Sequence, residues 1–297
     1  MSNYDEFLSS VDDVNQDAVE EHGNRYPLIQ WVKGDQKAKK AGGFDYHGGW
    51  FVAEDRCDLS GVEGWEKVEW VRNDGSSVEG FYAPNLQFSV LNHREWWEVT
   101  DDAGSKTRFG WNSYKEAANT GNARGRNQYL VAVKGLEDKG IFLVSLLGKA
   151  GEAFGNQRGA LAKLSKVVVS KANDFLRSKK DNRKMPFYSF WLNVGYNRDE
   201  KGNPFFEVVG KGKNTSTVCL PMAWDFPTGE EKVEFLTYYV GKELNAKFGD
   251  FFKESQEWAA QTDKIVSGVG DAKTTTGGTA ATAKVDDLAE KAAEYGV

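Results

Sequence analysis

The sequence predicts an α+β fold: two β-rich portions, the second an OB-like small barrel with long packed helices, then a disordered C-terminal tail. Three observations carry this expectation. Short apolar runs separated by turn residues fill 26–100. Strand-like runs at 129–133 and 141–146 precede long stretches of helical periodicity. Residues 273–284 are nearly all Thr, Gly and Ala, a composition that cannot build a core. The limits that follow are a flexible acidic arm over 1–25 and an N-terminal β-rich domain over 26–103. A basic α+β domain over 104–266 comes next, then a linker and acidic tail over 267–297.

Pro27 to Val32 reads as the first strand, stopped by Lys33-Gly34-Asp35, with a basic loop over 37–43. Trp50 to Ala53, Trp65 to Val71 and Val78 to Tyr82 are further strands. Asn73-Asp74-Gly75-Ser76 joins the last two, because Asp-Gly accepts the positive φ of a tight hairpin. Leu86 to Leu91 and Trp96 to Thr100 complete this run of short strands. Residues 101–127 read as a hinge-like passage rich in Gly and Asn, closing on Arg124-Gly125-Arg126.

A helix is expected over 150–178, with Leu161, Leu164, Val168, Ala172 and Phe175 along its buried stripe. Pro186 to Val194 is expected to be a strand, whose side chains alternate between faces. Tyr188, Phe190, Leu192 and Val194 then make an apolar face, and Phe187, Ser189, Trp191 and Asn193 an aromatic face broken by polar residues. Runs at 205–209 and 215–220 flank Gly210-Lys211-Gly212-Lys213-Asn214. The last long helix is expected to begin near Thr228 under a Thr228/Glu231 capping box, with Val233, Leu236, Val240 and Leu244 buried.

Charge is sorted by position. Residues 104–213 hold 21 Lys and Arg against 9 Asp and Glu, whereas the rest holds 17 against 35. Clustered cations gain binding free energy by releasing counterions condensed on phosphates, so the block implies a polyanion-binding surface. A solvated basic face without a partner is the alternative. No stretch approaches the ~20 apolar residues of a membrane span, and residues 1–21 lack a signal-peptide pattern. The two cysteines, Cys57 and Cys219, suggest no disulfide framework. A cytoplasmic location in a bacterial host is therefore expected, without membrane association.

Catalytic signatures are poor. His22, His47 and His93 lack partners at metal-ligand spacing, and there is no phosphate-binding Gly-x-x-x-x-Gly-Lys-Ser/Thr loop. Neither enzyme activity nor a cofactor nor a metal is expected. What is present is a set of aromatics interleaved with cations, the pairing that single strands need: charge for the backbone, flat faces for the bases. Arg108, Lys115, Arg124, Arg126, Lys184, Lys211 and Lys213 are the candidate phosphate contacts. Trp111, Phe187 and Trp191 are the candidate stacking residues.

Several phrases resemble an uncharacterised family from phages, plasmids and bacterial mobile elements. They are Gly48-Gly49-Trp50-Phe51, Val78-Glu79-Gly80-Phe81, Arg94-Glu95-Trp96-Trp97-Glu98-Val99, Phe190-Trp191-Leu192, Val209-Gly210-Lys211-Gly212-Lys213 with Ser216-Thr217-Val218, and Tyr239-Val240-Gly241-Lys242-Glu243-Leu244. The resemblance spans about residues 26–260 and implies single-strand binding. The layout of basic core, tether and acidic tip is also similar to single-stranded-DNA-binding proteins, whose tip engages partner enzymes. Here the tip ends Glu294-Tyr295-Gly296-Val297, not in Asp-rich sequence followed by Pro-Phe.

The expectation is thus largely sequence-independent binding of single-stranded DNA, or RNA, in phage or plasmid replication or recombination. Replication or recombination proteins would engage the acidic tail. The alternatives are a phage or plasmid structural or accessory protein-interaction module, and a nucleic-acid-processing enzyme with a dispersed carboxylate site.

Overall fold

The computed structural model describes residues 26–32, 48–71, 77–101, 105–157, 159–209, 216–226, 234–262 and 266. The expected arm over 1–25, the 37–43 loop, the 73–76 turn, the 210–214 loop, the Thr228 capping box and the 267–297 tail lie outside these residues.

Strands form where β-branched and aromatic residues are bounded by turn residues. They are β1 (Leu28–Val32), β2 (Gly49–Ala53), β3 (Glu66–Val71), β4 (Ser77–Ala83), β5 (Asn85–Thr100), β6 (Lys106–Gly110), β7 (Arg124–Val133), β8 (Ile141–Leu147), β9 (Leu192–Tyr196), β10 (Glu207–Val209), β11 (Ser216–Val218) and β12 (Pro221–Ala223). Ten of them form one sheet in the order β12-β9-β5-β7-β8-β1-β2-β4-β3, with β6 paired to β5. Among the described strands only the β1–β8 pair is parallel. The remaining two, β10 and β11, make a separate antiparallel pair.

The two β-rich portions expected from the sequence are therefore one sheet, in which strands from either side of residue 104 interleave. Strand signals are local, but the choice of pairing partner is not, and β5 pairs with β7 and β9 rather than closing a small N-terminal meander. No sheet closes among the described residues, so the OB-like barrel is not seen. Instead the sheet curls on itself. The Trp50 indole on β2 donates to the Val194 carbonyl on β9 at 2.8 Å, and its ring meets Phe88 of β5 edge-on at 5.6 Å.

Inside the curl lies the main core, with Ile29, Trp50, Phe88, Val131, Phe142, Phe154 and Leu192 among its members. Trp50 is fully buried, and truncating such a ring to alanine costs about 3–5 kcal/mol. Helices α1 (Tyr114–Thr120), α2 (Lys149–Gly155), α3 (Ala160–Lys163) and α4 (Ser170–Ser178) follow the sheet in part, with a π-helical turn at Leu164–Val169 between α3 and α4. A smaller core on the outer face joins Leu91, Leu130, Leu143 and Trp191 to Val240 and Phe248. It is covered by α5 (Lys242–Glu254) and α6 (Gln256–Ala260). No described helix is long and apolar enough to cross a membrane.

Three expected elements take other forms. The 150–178 helix is interrupted after Gly155, and the π turn adds a residue that shifts its buried stripe. Leu164, Val168, Val169 and Ala172 are buried while Phe175 is 48% exposed. The last helix begins at Lys242, because Gly241 turns at φ +94° and residues 239–240 run extended. There the Val240 amide donates to the Ser189 carbonyl at 3.0 Å and Tyr239 bridges Phe190, which leaves Leu236 exposed. The hinge-like passage over 101–127 holds β6 and α1.

Candidate nucleic-acid interface

In antiparallel strands, residues directly opposite one another share a face, so pairing register sorts the basic end of the sheet. Glu98 of β5 stands between Arg108 of β6 and Arg124 of β7, and Trp96 between Gly110 and Arg126. Arg94 lies opposite Gln128, and Lys106 opposite Thr100. One face of these three strands therefore carries five cations, Arg94, Lys106, Arg108, Arg124 and Arg126, around one carboxylate, Glu98. The opposite face carries Trp97 between Phe109 and Gly125.

Glu98 is buried, and one oxygen accepts from Arg126 at 3.1 Å and lies 3.4 Å from the Lys106 ammonium. Two cations thus neutralise it. Arg94 is held differently: its guanidinium lies 4.1 Å from the Trp258 ring, donates to the Trp258 carbonyl at 3.2 Å and to the Gln128 amide oxygen at 2.9 Å. Burial, and secondarily the positive charge of Arg108, lower Arg94 to about 10. Arg94 and Arg108 flank the Trp96 position on this face, Arg94 two residues before it on β5 and Arg108 opposite Glu98 two residues beyond it.

On the other face the aromatic rings gather. Trp97 and Trp111 stack with centroids 4.6 Å apart and planes 8° apart. Tyr114 meets Trp97 at 4.7 Å and is 52% exposed. A Cβ on residue 125 would sit 3.2 Å from the Trp111 ring, so glycine there lets the stack lie close to the strand. Lys115, next to Tyr114 on α1, is exposed. Ala117 fixes that helix by burial, and Gly121 beyond it approaches Val99, which shares the Trp97 face.

Arg108, Trp111, Lys115, Arg124 and Arg126 are thus brought to one end of the sheet. Phe187, Trp191 and Lys184 are not. Phe187 opens a short 3₁₀ turn and packs on the main core. The next residue, Tyr188, has its carbonyl bound by Ser89 of β5. Ser89 is eight positions from Trp97, roughly 25 Å along β5 at about 3.3 Å per residue. Trp191 is a correction: it is 7% exposed and meets Phe248 edge-on at 5.8 Å, so its ring is core and offers no base a stacking face. The strand expected over 186–194 takes another form: residues 187–189 make the 3₁₀ turn and β9 begins at Leu192, so Trp191 lies just before the strand, where α5 covers it. Lys184 is exposed, and Lys211 and Lys213 lie outside the described residues.

Sequence reasoning left Trp97 and Arg94 out of the candidate set. The Trp96-Trp97 pair on an alternating strand was a usable signal, since one of two neighbouring rings must face each way. Other cations of the basic block sit elsewhere. Lys134 follows β7 at the strand end away from Arg124, roughly 30 Å distant by strand rise. Lys149 pairs with Glu152 on α2, and Arg177 with Asp174 on α4.

Among the described residues no group of three or more His, Cys, Asp or Glu is placed to hold a metal ion. Cys57 and Cys219 are free thiols. The chain matches no protein-family model, no curated protein and no solved structure.

Proposed function

We propose that the chain binds single-stranded nucleic acid, DNA in the first instance, at the β5–β6–β7 end of the sheet and without catalysis. The observation that carries this reading is the pairing of a half-buried aromatic stack, Trp97–Trp111, capped by the exposed Tyr114 ring, with five cations on the reverse of the same three strands. Among the described residues strand β6 pairs with β5 alone, so a flexible strand can pass round its other edge from one face to the other. Tyr114 offers a ring to a base; Arg124, Arg108 and Lys106 offer charge to phosphates. A role in phage or plasmid replication or recombination is part of the same proposal.

Titration with oligo-dT across a range of salt tests it. Binding that quenches tryptophan fluorescence and weakens steeply as salt rises is expected, because phosphate neutralisation releases counterions. Absence of binding at low salt would contradict the reading.

A protein-interaction module is the second reading, and one observation favours it. Phe175 is 48% exposed against Phe235 at 5.5 Å, and Leu236 beside them is 61% exposed. Exposed apolar side chains of that kind suit a protein partner.

A further inference from the structure

We propose that Trp96, Arg108 and Arg94 form a phosphate subsite on the face of the sheet that carries Glu98, and that one phosphodiester of a bound strand occupies it; this rests on the nucleic-acid reading above. The starting point is a pair of buried donors. Trp96 is 4% exposed, and its indole Nε1–H has no acceptor among the described residues. Arg108 Nε is likewise buried and without an acceptor. A buried donor left unmade costs about 1–3 kcal/mol, so two of them on one face favour an acceptor brought from outside.

Register places the two together. Trp96 stands opposite Gly110, and Arg108 is two residues back along β6, so they are diagonal neighbours on a shared face. Gly110 leaves room on this face. A Cβ built there would meet nothing within 4 Å, so the place opposite Trp96 is open space. Arg94 borders the same position, its guanidinium carbon 5.8 Å from the Trp96 ring centroid.

The ligand class follows from charge and direction. Arg94 and Arg108 bring two positive charges, and the indole adds a neutral donor. Glu98, which stands opposite Arg108, already accepts from Arg126 at 3.1 Å and lies 3.4 Å from Lys106. A tetrahedral oxyanion presents acceptor oxygens in several directions at once, as donors arriving from two strands require. A planar carboxylate presents two oxygens in one plane. The neighbouring cations Lys106, Arg124 and Arg126 add attraction for the strand on either side.

The test observes the indole directly. In ¹H–¹⁵N spectra of the full chain, the Trp96 indole signal is assigned by its loss in Trp96→Phe. Inorganic phosphate, sodium acetate and oligo-dT are then titrated at constant ionic strength. The expected result is a saturable downfield shift with phosphate and with oligo-dT, and little with acetate. Gly110→Leu, at a residue whose φ of −57° suits any side chain, and Arg108→Gln should each abolish the phosphate shift. Both should also weaken oligo-dT binding severalfold. An indole unmoved by phosphate and oligo-dT would overturn the subsite, while oligo-dT binding measured by fluorescence would still stand. A phosphate shift without oligo-dT binding would keep the anion site and remove the nucleic-acid reading. An equal shift with acetate would overturn the phosphate assignment.

Discussion

Trp97 and Trp111 are joined twice: their rings stack 4.6 Å apart, and the Trp97 indole donates to the Trp111 carbonyl at 2.7 Å. The ring contact and the hydrogen bond together fix the chain that leaves β6, and so fix where α1 and Tyr114 stand. A ring pair packed in this way contributes about 0.5–1.5 kcal/mol beyond its buried area. In the proposed site the stack is the platform, and its most exposed ring is Tyr114.

Glycine at 125 is the condition for that platform. Gly125→Val would drive branched methyl groups into rings that already stand 3.2 and 3.5 Å from the Cβ position. The expected outcome is a folded protein with a weakened tryptophan exciton signal in near-UV circular dichroism and weaker oligo-dT binding. An unchanged spectrum would remove the packing argument.

Tyr114 should carry a stacked base. Tyr114→Ala is expected to lose about 1–3 kcal/mol of oligo-dT binding, while Tyr114→Phe keeps most of it, because the ring rather than the hydroxyl makes the contact. Its exposure means that stability should change little in either variant. Urea unfolding checks the second point and fluorescence titration the first.

Arg124 and Arg126 stand two residues apart on β7 and should behave differently. Arg124 is exposed, so Arg124→Gln should reduce the log–log salt slope by about 0.7 for single strands and leave stability intact. Arg126 binds the buried Glu98. Arg126→Gln should destabilise the fold on the order of 3 kcal/mol, because it weakens the compensation of a buried charge. Equal effects of the two substitutions on stability would contradict this division.

His93 lies against Tyr129 at 6.3 Å, and burial lowers its pKa from the ordinary histidine value near 6.5. The unfolded chain then takes up a proton more readily than the folded one. Stability from this residue is fully present above about pH 6.5 and is lost as pH falls through the depressed folded value. Urea midpoints should drop between pH 7.5 and pH 5, and the drop should shrink in His93→Gln.

Local signals made much of the sheet legible. β1 to β4 and β8 fall within a few residues of where alternation and turn residues put them. The middle of β5 was harder: Asn92-His93-Arg94 reads as a polar gap between two strands, yet it is one sixteen-residue strand with a bulge between Val90 and Asn92. The polar side chains there are used up by partners remote in sequence. Asn92 donates to the Ser255 hydroxyl at 3.0 Å, and Arg94 to Trp258. β6 was missed because Lys106-Thr107-Arg108-Phe109-Gly110 has a single large apolar residue, and its strand form rests on pairing with β5. The basic block put Arg108, Trp111, Lys115, Arg124 and Arg126 among the candidates, and strand pairing brings them to one end of the sheet. It could not separate them from Trp191, since what covers that ring is decided by a helix some fifty residues further on.

The most direct measurement is photo-crosslinking of a 5-bromodeoxyuridine oligonucleotide, with adducts mapped by mass spectrometry. Adducts on Trp111 or Tyr114, lost in Tyr114→Ala or in high salt, are the predicted result. Adducts confined to residues away from β5, β6 and α1, or none while the oligonucleotide is bound, would contradict the placement of the site.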